Sequence, residues 1–457
     1  MTENIRKFHD MIKDRRVTVI GIGISNRPLI RYLVQHGAHV TACDRKTKQQ
    51  LGEYARELEN MNVALSLGDS YLDHLDADII FKTPGLRFDH SALLAAKAAG
   101  AQITSEMEMF FEICPCKIIA VTGSDGKTTT TTLIYKMMTE EGYTCHLGGN
   151  IGTPLLTKAE NMNEEDFAIL ELSSFQLHTM TKSPDIAVIT NISPNHLDMH
   201  KDYQEYIDAK KNILLYQTPQ QLAILNEDNE VTRSMKDDAK GQVLTFSRQG
   251  AADIYLDNEF ITTNKRHILN IHDIKIPGMH NVENYMAAIA AVRHFVSDKT
   301  IQKIAQEFGG VEHRIELVRT LDGVRYYNSS IDSSPNRTIN TLKVFSKPVV
   351  LIAGGKDKGI PYDAIGPAIL EKVKALILIG ATSGAIEQAV KAAAKKQNVP
   401  LSLPIYHETN YKDAVARAKN CAQSGDVVLL SNASTSFDMF QNFEERGNLY
   451  KELVHQL

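Results

Sequence analysis

The sequence of 457 residues contains no tryptophan and only five cysteines. An odd, sparse set of cysteines in a chain this long excludes the disulfide framework typical of small secreted proteins. Cys114 and Cys116 could form half of a metal site, but the sequence offers no second closely spaced cysteine pair to complete it. We therefore expect free thiols.

The sequence also lacks long apolar runs and a strong excess of either charge. No stretch approaches the roughly 20 apolar residues of a membrane-spanning helix, and the charged segment 1–16 lacks the apolar core of a signal peptide. The formal charge of -5 is spread along the chain, which gives neither a basic surface for nucleic acid nor an acidic tail. These absences indicate a cytoplasmic protein without nucleic-acid partners or a membrane span.

Strand and helix patterns alternate along the chain, which predicts an α/β protein built on parallel sheets. Three series of such units begin with short β-rich runs, at Val17–Ile20, Lys117–Val121 and Val349–Ala353. At roughly 100–200 residues per domain, a chain of this length should form two to four domains. We expect three α/β domains with boundaries near residues 108 and 311, covering residues 1–108, 109–311 and 312–457.

A glycine turn follows the first predicted strand. Gly21 and Gly23 match the first two glycines of a dinucleotide-binding fingerprint, but Asn26 stands in the place of the third. Asp44 ends the next predicted strand about 20 residues later, where its carboxylate could accept hydrogen bonds from a ribose or a uracil. Two interpretations stay open: a nucleotide held by its phosphate at the helix N-terminus, or a plain tight turn. The missing glycine disfavours NAD.

A second glycine-rich segment, residues 122–128, follows a predicted strand and precedes a helical stretch, which is the context of a P-loop. Its glycines would let backbone amides surround phosphates, and Lys127 would reach the β- and γ-phosphates. Thr128 or Thr129 would offer a hydroxyl to Mg²⁺. The segment is shorter than the standard pattern, because Val121 stands at the position of the first glycine. A chance match is the alternative, and the context favours ATP binding.

Three further signals are weak on their own. Glu171 ends an apolar strand and suits a Mg²⁺ ligand, although a solvated loop carboxylate is an equal alternative. His196 and His200 are four residues apart, as in some zinc sites, but the glutamate of the usual motif is absent. Lys210 lies in an otherwise apolar helical phase, and its spacing alone favours an exposed lysine.

Taken together and in order, these segments resemble the motifs of the Mur ligase family. Besides residues 122–128, the similar segments are 105–110, 148–152, 171–177, 195–198, 206–210, 280–284, 312–314 and 354–359. The resemblance covers essentially the whole chain. It implies a Rossmann-like domain that holds a UDP-linked substrate, a central P-loop domain that binds ATP, and a C-terminal Rossmann-like α/β domain that binds an amino acid.

Within the family, the closing segment 434–447 resembles the member that adds D-glutamate, and the Asp-Asn-Pro-Arg motif of the diaminopimelate-adding member is absent. The resemblance implies an ATP-dependent ligase that joins D-glutamate to UDP-N-acetylmuramoyl-L-alanine through an acyl phosphate, in peptidoglycan synthesis for the cell wall. It also implies Mg²⁺ as a cofactor and carbamylation of Lys210 by CO₂. We expect a monomer whose partners are these small molecules.

The resemblance assigns roles residue by residue. The residues implied at the UDP-substrate site are Ile24, Ser25, Asp44, Arg45, Asn150, Ser173 and Gln176. Those implied at the ATP site are Gly123, Ser124, Asp125, Gly126, Lys127, Thr128, Thr129, Asn281, Asn284, Arg314 and Asp332. The implied Mg²⁺ ligands are Thr128, Glu171, His196 and Lys210, and the implied catalytic residues are Lys127, Glu171, His196, Lys210 and Arg314. The residues implied around D-glutamate are Lys358, Ser436, Phe437 and Phe443.

One segment departs from the family pattern. Where the family usually has Asn-Asp-Ser-Lys-Ala-Thr-Asn, this chain matches at Asp332 but has Ser334 in place of the lysine and Asn336 in place of the threonine. The departure bears on which amino acid is accepted. Our hypothesis is that Arg337 supplies the missing positive charge from the next position.

Three other functions are compatible with parts of the sequence. A nicotinamide-dependent oxidoreductase would explain the first glycine turn but not the P-loop. A nucleotide-binding module without activity would explain the P-loop but not the segment around Ser436. A sister ligase, such as one of the folylpolyglutamate synthase type, is the closest alternative, and that group lacks a UDP-holding domain like residues 1–108.

Overall fold

The computed structural model describes residues 2–23, 26–194, 199–357 and 359–457. The chain divides into two compact units, Met1–Asp273 with Met279–Ala305, and Ile274–Gly278 with Gln306–Leu457. Within the described ranges, no helix is both long and apolar enough to cross a membrane. The domain boundaries near residues 108 and 311 stay a prediction.

The first unit contains two sheets, of which the first is small and fully parallel. Its strands are β1 (Arg16–Ile20), β2 (His39–Asp44), β3 (Ala64–Leu67), β4 (Ile79–Phe81) and β5 (Gln102–Thr104). They lie in the order β3-β2-β1-β4-β5. The accompanying helices are α1 (Glu3–Ile12), α2 (Asn26–Gln35), α3 (Lys48–Leu51), α4 (Glu53–Asn60) and α5 (Ser91–Ala98).

The second sheet of this unit has nine strands. They are β6 (Lys117–Thr122), β7 (Cys145–Gly149), β8 (Phe167–Glu171), β9 (Ile186–Ile189), β10 (Leu222–Asn226), β11 (Gln242–Ser247), β12 (Ile254–Asp257), β13 (Phe260–Thr263) and β14 (Arg266–Asn270). Their order is β14-β13-β12-β11-β10-β9-β6-β8-β7, and the pairs β12–β13 and β13–β14 are antiparallel. The other pairs are parallel.

Seven α-helices and three 3₁₀ helices belong to this second part of the chain as described. The α-helices are α6 (Glu106–Ile113), α7 (Lys127–Glu141), α8 (Ser174–Leu177), α9 (Tyr203–Leu215), α10 (Glu230–Ser234), α11 (Met279–Val292) and α12 (Asp298–Glu307). The 3₁₀ helices are Leu156–Asn161, Met235–Asp238 and Ile271–Asp273.

The second unit is built on one six-stranded sheet. Its strands are β15 (Glu316–Leu321), β16 (Val324–Asn328), β17 (Val349–Ala353), β18 (Val373–Ile379), β19 (Ile405–Glu408) and β20 (Val427–Leu430). The order is β15-β16-β20-β17-β18-β19, and only β15–β16 is antiparallel among these pairs. The helices are α13 (Pro335–Lys343), α14 (Ile365–Lys372), α15 (Ser383–Gln397), α16 (Tyr411–Cys421) and α17 (Phe443–His455).

Continuous apolar runs explain the inner strands. Every residue of β8 and β17 is buried, and β6 is buried after its first residue. Strands of parallel sheets are covered by helices on both faces and therefore need apolar side chains on both sides. The predicted α/β class is confirmed, whereas the antiparallel strands β13 and β14 were not predicted.

One apolar core runs through both sheets of the first unit. Ile12 of α1 and Leu33 of α2 belong to the same buried cluster as Phe110 of α6 and Leu156 of the first 3₁₀ helix. Burying such side chains stabilises a fold by about 1.5–3 kcal/mol each. This shared core explains why both sheets form one compact unit.

In each sheet the strand order reverses at one point, and the connections from neighbouring strands there leave in opposite directions. In the first sheet β1 and β4 are such neighbours, in the second β6 lies between β8 and β9, and in the third β17 lies beside β20. Ligands of α/β proteins bind in the crevices outside the carboxyl ends of such strands. The turns that follow these strands carry several of the residues predicted at the site, among them Gly123–Gly126, Ser173 and Ser436.

The contact between α14 and α15 gives a test of the packing. A Cβ at Gly366 would lie 2.2 Å from the carbonyl oxygen of Ala389, whereas one at Gly384 would meet nothing within 4 Å. Replacing glycine by alanine in a helix stabilises by about 0.5–1 kcal/mol when space is free, and overpacking costs about 1–3 kcal/mol. We expect Gly366→Ala to lower the free energy of unfolding in urea and Gly384→Ala to leave it unchanged or raise it. Equal stability of the two variants would contradict the close approach.

Candidate active site

The turn between β6 and α7 is shaped by two glycines. Gly123 and Gly126 have φ angles of 147° and 80°. A Cβ at Gly123 would lie 2.0 Å from Oγ1 of Thr190, and one at Gly126 would lie 2.2 Å from Oδ1 of Asn284. Only glycine fits at these two places, so the turn closes tightly against the end of β9 and against α11.

Residues that follow β9 hold the backbone of this turn. The amide of Ser124 donates to the carbonyl oxygen of Asn191 at 2.8 Å, and the amide of Asp125 donates to its side-chain Oδ1 at 3.0 Å. The hydroxyl of Thr190 donates to the carbonyl oxygen of Asp125 at 2.6 Å. Helix α7 begins at Lys127, and its N-cap residue Gly126 provides no side-chain cap. A preformed turn that leads into an uncapped helix N-terminus is suited to binding phosphate.

Two lysines converge on this turn. Nζ of Lys127 donates to the carbonyl oxygens of Gly123 and Ser124 at 3.0 and 2.9 Å. Nζ of Lys210, from α9, donates to the same oxygen of Gly123 at 2.8 Å. The side chain of Lys210 is buried, which corrects the exposed position that its spacing favoured. The spacing of apolar residues in α9 could not predict this burial, because the surface that covers Lys210 is the P-loop.

The environment of Lys210 favours the neutral amine. Burial and then the charge of Lys127 hold the pKa of Lys210 well below its usual range, although Glu171 and Asp125 oppose this shift. Its Nζ also lies 4.7 Å from the ring centre of Tyr206. A lowered pKa increases the share of the neutral amine, which is the nucleophilic form.

Oxygen donors suited to a divalent cation lie at the same edge of the sheet. Glu171 is buried, its Oε1 accepts from Nδ2 of Asn150 at 2.8 Å, and its Oε2 is buried without a partner among the described residues. The hydroxyls of residues 130–132 are bonded within the protein. Those of Thr128 and Thr129 donate to none of the residues that the structure describes. Glu171 and Thr128 therefore fit a Mg²⁺ site, while His196 lies outside the described residues.

His200 packs against internal groups of the protein, and its buried Nδ1 has no hydrogen-bond partner among the described residues. Its Nε2 and the hydroxyl of Ser174 lie 2.9 Å apart, and its Nδ1 lies 3.4 Å from Oε2 of Glu205. Its ring stacks on Phe175 with centroids 5.1 Å apart. Burial lowers the pKa of His200. The zinc alternative also requires His196, so the structure does not describe that pair.

Asn281 and Asn284 support the P-loop from α11. Both are buried, and Nδ2 of Asn284 donates to Oδ1 of Asn281 at 3.0 Å. The hydroxyl of Thr130 donates to Oδ1 of Asn284 at 3.3 Å. The two predicted ATP-site residues thus lie beside the turn, with Asn284 packed directly against Gly126.

A cleft of about 200 Å³ lies between the two sheets of the first unit. It is lined by the first glycine turn and by residues that follow β4, β5, β7 and β8; the lining includes Gly21, Gly23, Asn26, Lys82, Thr83, Ser105, Gly149, Asn150 and Gln176. Two predicted UDP-substrate residues, Asn150 and Gln176, are therefore in this cleft. Ser173 is the N-cap residue of helix α8, and its side chain forms a capping box with Gln176.

The first glycine turn lacks the third glycine of the fingerprint, and side chains hold its backbone by hydrogen bonds. Nδ2 of Asn26 donates to the carbonyl oxygens of Ile20 and Gly21 at 3.2 and 2.9 Å. The carboxylate of Asp44 accepts from the amide of Ile22 at 2.6 Å. Arg45 is exposed. Ile24 and Ser25 lie outside the described residues, so their predicted contacts are not described.

Lys82 is a candidate that the sequence analysis missed. It directly follows β4, it is only 4% exposed, and its side chain lines the cleft. Burial lowers the pKa of Lys82, opposed by the charge of Glu108. Its amine donates no hydrogen bond to any residue that the structure describes. A buried ammonium needs an anionic partner, and the only signal in the sequence was a lysine at the end of a buried strand.

The loops that follow β17 and β20 meet in the second unit. The amide of Lys356 donates to the carbonyl oxygen of Thr435 at 2.9 Å. Next to this contact Ser436 is buried, and Phe437 is 60% exposed. Phe443 begins α17, and its carbonyl oxygen accepts from the hydroxyl of Ser330 at 2.7 Å. These loops bring three of the predicted amino-acid-binding residues to one edge of the sheet, and Lys358 lies outside the described residues.

The departing segment of the second unit has internal hydrogen-bond partners. Oδ2 of Asp332 accepts from the hydroxyls of Thr341 and Ser431, both at 2.7 Å. Arg337 is exposed, and its Nη1 donates to the carbonyl oxygen of Ile331 at 3.1 Å. Arg314 is also exposed. The predicted nucleotide contacts of Asp332 and Arg314, and the charge role of Arg337, stay predictions.

Three protein families match consecutive parts of the chain. "Mur ligase MurD-like, N-terminal domain" matches residues 15–105, "Mur ligase middle domain" matches 121–292, and "Mur ligase, glutamate ligase domain" matches 313–433. The three matches follow the order of the three sheets.

Curated relatives are similar over their full length. The chain is 53% identical over 464 residues to a UDP-N-acetylmuramoylalanine–D-glutamate ligase of Ruminiclostridium cellulolyticum, and 52% identical over 468 residues to one of Acetivibrio thermocellus. In both comparisons the alignment covers 100% of this chain and 100% of the relative.

Solved structures share the fold at low sequence identity. The UDP-N-acetylmuramate–alanine ligase of Thermotoga maritima has a TM-score of 0.57 at 16% identity, over 97% of this chain and 99% of that one. A UDP-N-acetylmuramoyl-L-alanyl-D-glutamate–2,6-diaminopimelate ligase has a TM-score of 0.56 at 19% identity, over 92% and 93%. With full-length relatives at such high identity and three matching family domains, this chain belongs to the Mur ligase family.

Proposed function

We propose that the chain is an ATP-dependent ligase that adds D-glutamate to UDP-N-acetylmuramoyl-L-alanine in peptidoglycan synthesis. The observation that carries the proposal is the full-length similarity to relatives named for this reaction. The P-loop and the cleft beside it provide places for a nucleotide and for a second, elongated substrate. We further propose that the protein acts as a cytoplasmic monomer.

The reaction needs ATP because a carboxylate does not condense with an amine unaided at neutral pH. The L-alanyl carboxylate would attack the γ-phosphorus, which forms an acyl phosphate and releases ADP. The D-glutamate amine would then attack the carbonyl carbon, and phosphate would leave. Both steps depend on positioning and on neutralising negative charge.

Residues of the P-loop would position the nucleotide. The uncapped N-terminus of α7 would face the phosphates, and Lys127 would exchange its two backbone acceptors for phosphate oxygens. Because those acceptors are neutral carbonyls, charged phosphate is the stronger partner. Asn284 would keep the turn closed at Gly126.

Glu171 and Thr128 would hold Mg²⁺. The buried Oε2 of Glu171 has no protein donor among the described residues, so a cation is a suitable partner. When bound, Mg²⁺ supplies charge neutralisation at the phosphates. Asn150 would hold the other oxygen of Glu171 and thereby fix the orientation of the carboxylate.

Lys210 would serve as a carbamate. A neutral amine can add to CO₂, with loss of a proton, and so convert a potential cation into an anion. Burial and the nearby Lys127 favour the neutral amine that this step requires. The resulting carboxylate-like group would balance the charge of Lys127 at the P-loop.

Amino-acid specificity is the direct test of the proposed reaction. Purified protein with ATP, Mg²⁺ and UDP-N-acetylmuramoyl-L-alanine should release ADP only when D-glutamate is added. L-glutamate, L-lysine and no amino acid are the controls. Release with another amino acid would indicate a sister ligase and implicate residues 334–337, and no release with any of them would contradict a ligase.

Carbamylation of Lys210 is tested by isotope labelling. Protein equilibrated with ¹³C-bicarbonate should give a carbamate signal in NMR spectra, and Lys210→Met should abolish it and reduce ligase activity by about 100-fold or more. The control is Lys211→Met, which alters a lysine paired with Asp238 at 2.8 Å. A signal that persists in Lys210→Met would place the carbamate elsewhere.

The cleft lysine is tested by a change in substrate affinity. We propose that Lys82 binds an anionic group of the UDP-linked substrate, so Lys82→Met should raise the KM for that substrate by about 10-fold or more, as expected for a lost charge-assisted hydrogen bond. The KM for ATP should change little. Lys97→Met, at an exposed lysine of α5, is the matched control.

A purely structural lysine would behave differently. If Lys82 only neutralised Glu108, its loss would leave a buried carboxylate unpaired and lower the free energy of unfolding. The KM would then stay unchanged. Urea unfolding of the same variant therefore separates the two roles.

A further inference from the structure

A second group of side chains that can bind a metal contains none of the P-loop residues. Nε2 of His9 lies 3.0 Å from Oε1 of Glu160, and Nε2 of His36 lies 3.4 Å from the same oxygen. One ligand atom from each of the three residues lies within 4.8 Å of the others, and no other such group occurs in the described ranges. The side chains are 18%, 26% and 34% exposed, so an ion could reach them from solvent.

The three residues come from different elements. His9 lies in α1, His36 directly follows α2, and Glu160 lies in the 3₁₀ helix Leu156–Asn161. The first two elements pack on the small parallel sheet, whereas the third follows β7 of the nine-stranded sheet. A ligand shared by all three would therefore link the two halves of the first unit.

Hydrogen bonds already orient the imidazole of His36. Its Nδ1 lies 2.8 Å from the carbonyl oxygen of Tyr32. Because a carbonyl only accepts, Nδ1 carries the proton, and the lone pair of a neutral ring is left on Nε2, which faces Glu160. Metal-bound histidines are commonly oriented in this way by a carbonyl acceptor.

Tyr32 contributes a second orienting group. Its hydroxyl lies 2.5 Å from Oε1 of Glu160 and 2.7 Å from Nε2 of His9. Burial and the neighbouring Glu160 raise the pKa of Tyr32, so the phenol keeps its proton. One proton cannot serve both of these neighbours. The rings of His9 and His36 stack with their centroids 4.0 Å apart.

Two of the three separations are near those around a bound transition metal. Ligand atoms held at about 2.0–2.2 Å from a tetrahedral Zn²⁺ lie roughly 3.3–3.5 Å apart, and the two histidine–carboxylate separations are 3.0 and 3.4 Å. The third pair lies within 4.8 Å, and the stacked rings of His9 and His36 would have to turn for both lone pairs to reach one ion. Two imidazoles and one carboxylate are a donor set suited to Zn²⁺ and unsuited to Mg²⁺ or Ca²⁺. We propose that His9, His36 and Glu160 form a Zn²⁺ site that joins α1 and α2 to the 3₁₀ helix.

The proposal is tested by Zn²⁺ binding to the full chain. After treatment with a chelator and its removal, calorimetric titration with Zn²⁺ should show one ion per chain, and the thermal midpoint of unfolding should rise with Zn²⁺ concentration. His36→Asn should weaken binding by more than about 100-fold, beyond the loss expected for an outer-shell partner. Glu160→Gln, which keeps an acceptor for Tyr32, should weaken it as well while leaving the fold intact.

Two controls separate this site from adventitious binding. His272→Asn removes an exposed histidine that lies 3.1 Å from Glu259 without a third ligand, and it should leave Zn²⁺ binding unchanged. Cys114→Ser with Cys116→Ser removes two thiols that lie 3.5 Å apart, and it should also leave binding unchanged. Absence of stoichiometric binding, or binding lost only in the cysteine variant, would overturn the proposal. These outcomes are independent of ligase activity.

Discussion

Two lysine amines share one carbonyl oxygen in the turn between β6 and α7. Lys127 and Lys210 both donate to Gly123, at 3.0 and 2.8 Å. Two ammonium groups this close repel each other, and the repulsion falls when one loses its proton or when anions join them. In the free protein, burial and the charge of Lys127 lower the pKa of Lys210. A polyphosphate bound by Lys127, or a carbamate formed on Lys210, would relieve the same repulsion by adding negative charge.

That crowding depends in turn on strand register and on glycine. Val121 of β6 pairs with Glu171 of β8, and Thr122 pairs with Ile189 of β9. A shift of one residue would turn every side chain of the strand to the opposite face of the sheet, and Glu171 would no longer lie beside the turn. Gly123 then permits the turn to approach Thr190 more closely than any side chain would allow. The site is therefore fixed by the backbone before any ligand binds.

The sequence predicted those features that depend on local order. The P-loop, the strand Phe167–Glu171 and the resemblance to a family could be read because spacing along the chain carries their chemistry. The burial of Lys210 could not, since it depends on a loop more than 80 residues away in the sequence. Asp332 stays a predicted nucleotide contact, and the structure adds that its carboxylate accepts from two hydroxyls of its own unit. The antiparallel strands β13 and β14 were missed, and they are only four and five residues long.

Burial alone does not mark a functional basic residue, as three buried basic side chains of this chain demonstrate. Arg446 is fully buried, but its nitrogens donate to the hydroxyl and carbonyl of Ser330 and to the carbonyl of Ser434, so it acts as a scaffold for those loops. Lys210 has two neutral acceptors and a like charge nearby, and Lys82 has no hydrogen-bond acceptor among the described residues. A buried charge without a full set of partners is costly in the free protein. Substrate anions would remove that cost. We therefore expect Lys82 and Lys210, whose partners are incomplete, to contact ligands, and we do not expect this of Arg446.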